Sequence, residues 1–348
     1  MTACWRWLPA RNARRTRNDL SMPMPLLSDA FHPRFAQWLL RRGALLAFAA
    51  ILLAFALSAP NFLTLSNLVN VLAQSAILGS LAFGLTTVII GGGSNVVSGG
   101  LDLSLAANLG LSAAVYASLN NAGFGDVVSI AATLGTGLAI GTLNALVVVG
   151  FRLPPLLATL ATMNLVAGLE LVLTENTVLP STSPLLEGLA FGSWVGVPAL
   201  AWVLLAVGGV LIVLTQYTPF GLRLYAIGEY PEAANAAGLS VRGYVFASYL
   251  ISGLCGSLAA FCSAAWFSGS TTGSGEMLLS VVAIAFLGVI FSQRLQPSIG
   301  GTLLATLLVG VLINGFQLLN ISSFWVDGVQ GVLILLVVAL SGLRNKEA

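Results

Sequence analysis

QYTPFGLRLYAIGEYPEAANAAGLSVR, residues 216–242, is a polar stretch set between two long apolar runs, Ala199–Thr215 and Tyr244–Trp266. It carries Arg223 and Arg242, two of the chain's few arginines. Its middle, Pro231–Ala237, reads as a short helix: proline in the first turn, Glu232 near the positive end of the dipole, then alanines. Gly238 follows where a left-handed stop belongs. A polar helix of two turns between membrane spans has no lipid face to bury. Its Ala-rich surface suits docking onto another protein, and the alternative is a plain solvated loop.

The rest of the chain explains why the flanks are spans. The 348 residues are 57% hydrophobic and only 7% charged, where soluble domains are nearer a quarter charged. Apolar runs of roughly 17–25 residues recur, each long enough to cross a bilayer core of about 30 Å. The fold class is therefore all-α, a polytopic helical membrane protein. A β-barrel would show short alternating strands, which this pattern lacks. The net charge of +2 carries no nucleic-acid signal, because the basic residues are not gathered on a soluble domain. Cys4, Cys255 and Cys262 make no disulfide framework. Cys255 and Cys262 are seven apart in one apolar run, on one helix face, and read as inert packing residues. His32 is the only histidine, which argues against a His-based metal site or triad.

Ten apolar runs lie near 43–59, 67–90, 101–119, 127–150, 155–175, 199–216, 244–266, 277–293, 299–319 and 325–343. Positive charge tests the count. With the N-terminus cytoplasmic, the inside segments hold Arg152, Arg223 with Arg242, Arg294, and the C-terminal Arg344 and Lys346. Eight arginines in residues 1–42 complete all 14 basic residues. The outside loops carry Asp126, Glu187 and Glu276 and no basic residue, the sorting that the positive-inside rule expects. The expected organisation is a basic, disordered cytoplasmic tail over 1–42, a transmembrane domain over 43–343 with a cytoplasmic loop at 216–243, and a short cytoplasmic tail over 344–348. The tail's Arg-rich, acid-poor composition is also that of a transit peptide, but it has no apolar h-region for an ordinary secretory signal.

Several runs are more than lipid-facing rods. IIGGGSNVVSGGLDLS joins the second to the third with five glycines between Gly91 and Gly100. Irregular backbone at membrane depth survives where protein or a water-filled cavity satisfies it. Asp102 and Ser104 stand at the next helix start, either as capping residues or as lining of a transport path. The fifth run, after Pro154-Pro155, is unusually polar. Thr159, Thr162 and Asn164 either bind helix carbonyls and neighbouring helices or face a path. Glu170 is an ionisable group inside a span, a functional candidate by default, unless it sits at the outer interface. Asn314, Gln317 and Asn320 are three apart near the end of the ninth run, where packing and path lining are both open. The outside segment Asn176–Pro198 holds three prolines and is expected to cap the external face.

Equally telling is what the chain lacks. It contains no G-x-x-x-x-G-K-[ST] and its only lysine is Lys346, so it has no P-loop for ATP. It has no G-x-S-x-G elbow, no H-E-x-x-H and no Cys/His ligand cluster. Energy for transport must come from an ion gradient or from another subunit.

Four segments then carry a resemblance. GGLDLS (Gly99–Ser104), LPPLLATLATMNLVAGLELVLT (Leu153–Thr174), YAIGEYPEAANAAGLSV (Tyr225–Val241) and GGTLLATLLVGVLINGFQLL (Gly300–Leu319) occur in the order and spacing of one family. From about Phe62 to Leu340 the chain resembles the membrane permease subunit of a bacterial ABC importer of the ribose/monosaccharide type, akin to branched-chain amino-acid permeases. The resemblance implies an inner-membrane protein whose two permease copies, identical or paralogous, form a pore in the lipid. It also implies a cytoplasmic ABC ATPase that holds the ATP and Mg, and a periplasmic sugar-binding protein. This chain itself would then need no cofactor and would be no enzyme. The ATPase-docking positions implied are Glu229, Pro231, Glu232, Ala233, Ala234 and Gly238. Three departures stand out: a long Gly91–Ser98 link, Leu105-Ala106 where the family commonly has Val-Gly, and SQRLQPSIG at Ser292–Gly300 in place of a Gly-rich turn. The competing class is a secondary transporter or channel driven by an ion gradient. Such a carrier usually shows paired intramembrane carboxylates or a His relay; here Asp102 and Glu170 are the only midspan candidates.

Overall fold

The computed structural model describes residues 33–93, 99–292, 294, 296–322, 325–326 and 328–332, with side chains from 45 onward. Of its two compact units, the first, 1–40, contributes only 33–40 to these residues, and they are helical; the second is 41–348. The described chain is built of helices α1 (Pro33–Ser58), α2 (Leu65–Gly92), α3 (Leu105–Asn121), α4 (Asp126–Gly150), α5 (Pro155–Thr174) and α6 (Pro184–Phe191). A small hairpin follows, β1 (Ser193–Trp194) against β2 (Val197–Pro198). Then come α7 (Ala199–Tyr217), α8 (Pro219–Glu229), α9 (Pro231–Ala236), α10 (Val241–Phe267), α11 (Met277–Phe291) and α12 (Ile299–Leu318). Helices α4 and α7 both close in a π-helical turn, at Leu146–Gly150 and Val213–Tyr217.

The all-α class holds. Among the described residues seven helices are long and apolar enough to cross a membrane: α2, α4, α5, α7, α10, α11 with the turn before it, and α12. Helix α3 falls short because it has only 17 residues and spends several on Asn and Ser, and α1 contributes the shorter apolar segment Leu45–Ser58. The run at 325–343 extends beyond the described residues, as do the tails at 1–32 and 344–348.

Helices α2, α12 and α10 are the inner ones. In α2, 89% of the apolar window is buried, against 28% in α5. Lipid tails are as apolar as leucine, so close backbone approach and hydrogen bonds, not hydrophobicity, hold such helices together. Gly137 and Gly141 of α4 supply that approach: a methyl on Gly253 of α10 would overlap both their backbones. Thr86 of α2 and Thr302 of α12 share a buried hydroxyl–hydroxyl bond of 2.8 Å.

The helix ends gather in two groups. At one, the α2 end meets α8, Tyr225 of α8 donates to the Pro297 carbonyl before α12 (2.8 Å), and Val148 of α4 and Val245 of α10 both pack on the cluster of Val88, Ala145 and Tyr249. Arg152, Arg223, Arg242 and Arg294 lie on segments at this end. At the other, Tyr116 of α3 donates to Asp126 at the start of α4 (2.7 Å), and Asn121 reaches the Pro180 carbonyl (2.9 Å). There the long segment before α7 is also stitched to the α10 end by Ser181 N to Ser268 O and Ser270 N to Leu179 O. The segment 176–198 therefore does cover one end of the bundle, as its prolines suggested.

Candidate functional site

Helices α8 and α9 stand between two spans without being spans themselves. Proline at the first position starts each, Pro219 and Pro231, where a missing N–H costs nothing. Helix α9 ends as the sequence predicts, with Gly238 in the left-handed region (φ +85°); its last helical residue is Ala236, one earlier than expected. Pro231, Glu232, Ala233 and Gly238 are exposed. Ala234 is not: at 6% exposure it is turned inward and seats α9 on its own chain. A short helix lying on a surface must spend one face on that surface, and Ala234 is on it. Beside α9, Pro231, Glu232, Asn235, Ser240, Val241 and Arg242 line a shallow concavity.

Helix α8 is clasped on two sides. Leu224 and Ile227 are fully buried, and Leu224 packs against Gly91 of α2. Gly228 lies against the Ile90 carbonyl so closely that no Cβ fits between them. On the other side Gln296 donates to Glu229 (Nε2 to Oε1, 2.7 Å) and Tyr225 donates to Pro297. Burial pushes the Tyr225 phenol up to about 12, with the nearby Arg294 pulling the other way. Between the α7–α8 corner and this connector lies a cavity of about 620 Å³, lined in part by Gln216, Tyr225, Glu229, Arg294 and Gln296.

The broken segment between α2 and α3 ends in a polar node. Asp102 is 1% exposed and accepts four hydrogen bonds. Its Oδ1 takes Ser104 N (3.1 Å), Ser104 Oγ (2.6 Å) and Asn144 Nδ2 of α4 (3.1 Å); its Oδ2 takes Ser252 Oγ of α10 (2.7 Å). Asn144 also donates to Ser104 Oγ (2.7 Å). Neither Asp102 nor Ser104 acts as a simple N-cap: Ser104 occupies that position of α3 with no side-chain capping bond. The carboxylate instead ties the α3 entry to α4 and α10.

The other candidate residues lie in separate surroundings. Glu170 is 4% exposed, its Oε1 has no partner, and it faces Gly110 of α3. A methyl on Gly110 would overlap both Glu170 Oε2 and Ser274 Oγ, which is likewise buried without a partner. Thr159 is buried and bonds back to the Pro155 carbonyl (2.9 Å), whereas Asn164 is exposed and bonds to the Leu160 carbonyl (2.9 Å). Asn314 exchanges two amide bonds with Asn67 of α2 (2.9 and 3.0 Å), and Gln317 is exposed. Among the described residues no hydrogen bond joins the Asp102, Glu170 and Asn314 groups.

Comparison with known proteins decides the class. The family model described as "Branched-chain amino acid transport system / permease component" matches residues 67–338. The chain belongs to this permease family. It is 31% identical over 314 residues to the ribose import permease protein RbsC of Escherichia coli strain K12, covering 88% of this chain and 95% of that one. It is 34% identical over 309 residues to the RbsC of Bacillus subtilis strain 168, covering 88% and 93%. The L-arabinose ABC transporter permease protein AraH of Azospirillum brasilense is 27% identical over 308 residues, covering 88% and 89%. No solved structure matches. The permease is thus a multi-pass inner-membrane transport subunit. Asn144, Ser252, Asn67 and Gln296 all escaped sequence reasoning. A lone polar residue in an apolar run has no partner until the helices are packed.

Proposed function

We propose that this permease is the membrane subunit of an ATP-driven importer that moves a monosaccharide or similar small polar solute inward. The observation that carries the reading is α9: a proline-led, alanine-faced helix left exposed between α7 and α10, in a permease family whose relatives include an L-arabinose ABC transporter permease. The chain has no P-loop, so ATP hydrolysis on a partner must reach it through a contact. A cytoplasmic ATPase, carrying the ATP and Mg, docks on the segment from Pro231 to Gly238, with Pro231, Glu232 and Ala233 outermost and Ala234 holding the helix in place. A periplasmic sugar-binding protein delivers the solute at the opposite end.

The topology proposed has ten spans with both termini cytoplasmic. Supporting it, Arg152, Arg223, Arg242 and Arg294 lie on segments at one end of the bundle, as the positive-inside rule requires of the cytoplasmic side. A second permease, identical or paralogous, packs against the outer face of α5. Asn164 is midway along that helix, polar and exposed, between Ala161 and Gly168, also exposed. A polar side chain at that depth is expensive against lipid and is accommodated against another helix or a wet path. Asn164, Thr159 and Glu170 on α5, Asn314 and Gln317 on α12, and the Asp102–Ser104 entry of α3 are the residues proposed for the path and its frame.

The test is purification of the permease with its ATPase from membranes, followed by reconstitution with the binding protein. Uptake of labelled D-ribose, L-arabinose, D-xylose or D-galactose that requires ATP and the binding protein supports the reading. Uptake driven by a proton or sodium gradient with no ATPase attached would replace it with a secondary transporter.

A further inference from the structure

We infer that Gln296–Ser298, just before α12, form a second transmission point, and that Glu229 and Gln296 form the latch through which movement of the docking segment reaches α12. This rests on the docking reading above and assigns Glu229 a role inside its own chain. The connector reads SQRLQPS, and its residues Gln296, Pro297 and Ser298 carry the contacts. Gln296 reaches across to donate to Glu229 at 2.7 Å. The neighbouring Pro297 accepts from Tyr225 at 2.8 Å.

The geometry makes this pair a mechanical link. Tyr225 and Glu229 are four apart on α8 and therefore on one face, and both bond to consecutive residues of the connector. The next residue, Ser298, caps α12 by accepting from Gly301 N (3.2 Å). A shift of α9 acts first on α8, from which it is separated by Tyr230 alone. From α8 it passes along two bonds to the first turn of α12. One turn further on, Thr302 carries the bond to Thr86 of α2. The opposite face of α8 cannot yield in the same way, since Gly228 rests directly on the Ile90 carbonyl. The cavity of about 620 Å³ beside the latch gives the connector side the room that the α2 side lacks. Displacement is thus directed toward α12.

The experiment uses the permease with its ATPase in liposomes and needs no transported solute. A reporter cysteine is introduced at the exposed outer end of α12 by Gln317→Cys, and its maleimide labelling rate is measured with and without ATP and vanadate. Cys4 is first replaced by serine in every protein tested, and the native Cys255 and Cys262 are buried. We expect a severalfold ATP-dependent change in the parent. It should fall below about twofold in Gln296→Ala, the size of effect that one lost charge-assisted hydrogen bond allows. ATPase copurification should be unchanged in that variant. Glu229→Ala combined with Gln296→Ala should be no worse than either alone. Exchange of the pair, Glu229→Gln with Gln296→Glu, keeps a donor facing a carboxylate and should restore the response.

No ATP-dependent change at position 317 in the parent would overturn the proposal, as would a full change in Gln296→Ala. If Glu229→Ala releases the ATPase while Gln296→Ala does not, Glu229 is a docking residue and the latch is refuted with docking intact. The docking reading fails separately, when Ala233→Arg leaves the ATPase bound.

Discussion

Replacing Asp102 by alanine should loosen the contact among α3, α4 and α10. The carboxylate accepts from Ser104 N, Ser104 Oγ, Asn144 Nδ2 and Ser252 Oγ. Once it is gone, Ser104 Oγ and Asn144 Nδ2 still have each other at 2.7 Å. Ser252 Oγ and Ser104 N are left without this acceptor in a buried site. A stranded buried donor costs about 1–3 kcal/mol. Polar interactions between membrane helices fall at the low end, because the separated helices also find partners. The total is therefore about 3 kcal/mol. At roughly 2–3 °C per kcal/mol for a chain larger than 150–250 residues, the midpoint should fall by about 5–10 °C. Asp102→Asn keeps one carbonyl oxygen for the Oδ1 partners and turns an amide toward Ser252, whose hydroxyl can accept. Its loss should be about 1 kcal/mol, a shift of roughly 2–3 °C. The assay is the fraction of detergent-solubilised permease that stays monodisperse on size exclusion after heating at stepped temperatures. Should Asp102→Ala hold its midpoint to within about 2 °C, or Asp102→Asn fall as far as alanine, the node is not what holds these helices.

Orientation is tested by an added cysteine near Gly188, which should label with an impermeant maleimide in intact cells while one near Glu232 should not; the reverse pattern rules the proposed topology out. Ala233→Arg puts a long charged side chain on the exposed face of α9, so insertion should be normal and ATPase copurification should drop by tenfold or so, about 1.4 kcal/mol of contact. Ala234→Arg acts differently because Ala234 is buried: it should unseat α9 and lower thermal stability as well, and equal stability in the two variants would show that the burial does not matter. Glu170→Ala should cut uptake about tenfold, the loss expected of one hydrogen bond to a charged group, with membrane levels unchanged. Glu170→Gln, which keeps the shape beside Gly110, should retain more, and normal uptake by Glu170→Ala removes it from the path.

What could be read from the sequence divides along a physical line. Properties that belong to one helix were legible, because period, length and end signals are all local. The helix at Pro231, its stop at Gly238 and the apolar runs now found on α1 to α5, α7 and α10 to α12 are of this kind. Helix α8 was also locally encoded, with Pro219 at its start and Leu224 and Ile227 three apart on its buried side. It went unread because its polar flanks made 216–242 look like one loop. The candidate site belongs to the other kind. Asp102 looked like a cap or a path residue since its sequence neighbours allow either. Asn144 and Ser252, which decide its surroundings, lie 42 and 150 positions away. The same holds for Asn314, whose partner Asn67 is 247 positions distant. Ala233 and Ala234 were alike in sequence and are opposite in the fold, because one residue along a helix is a turn of about 100°. The connector at 292–298 sharpens the point. As sequence it was only a departure from a pattern, which says that something changed but not what the change is for. Placed against Tyr225 and Glu229 it acquires a partner for Gln296 and for the Pro297 carbonyl. Two specific bonds from this connector to α8, the helix next to the one proposed to receive the ATPase, suit it to coupling. That is why Gln296, rather than the more familiar Asp102, is the residue whose replacement should separate ATP hydrolysis from movement of α12.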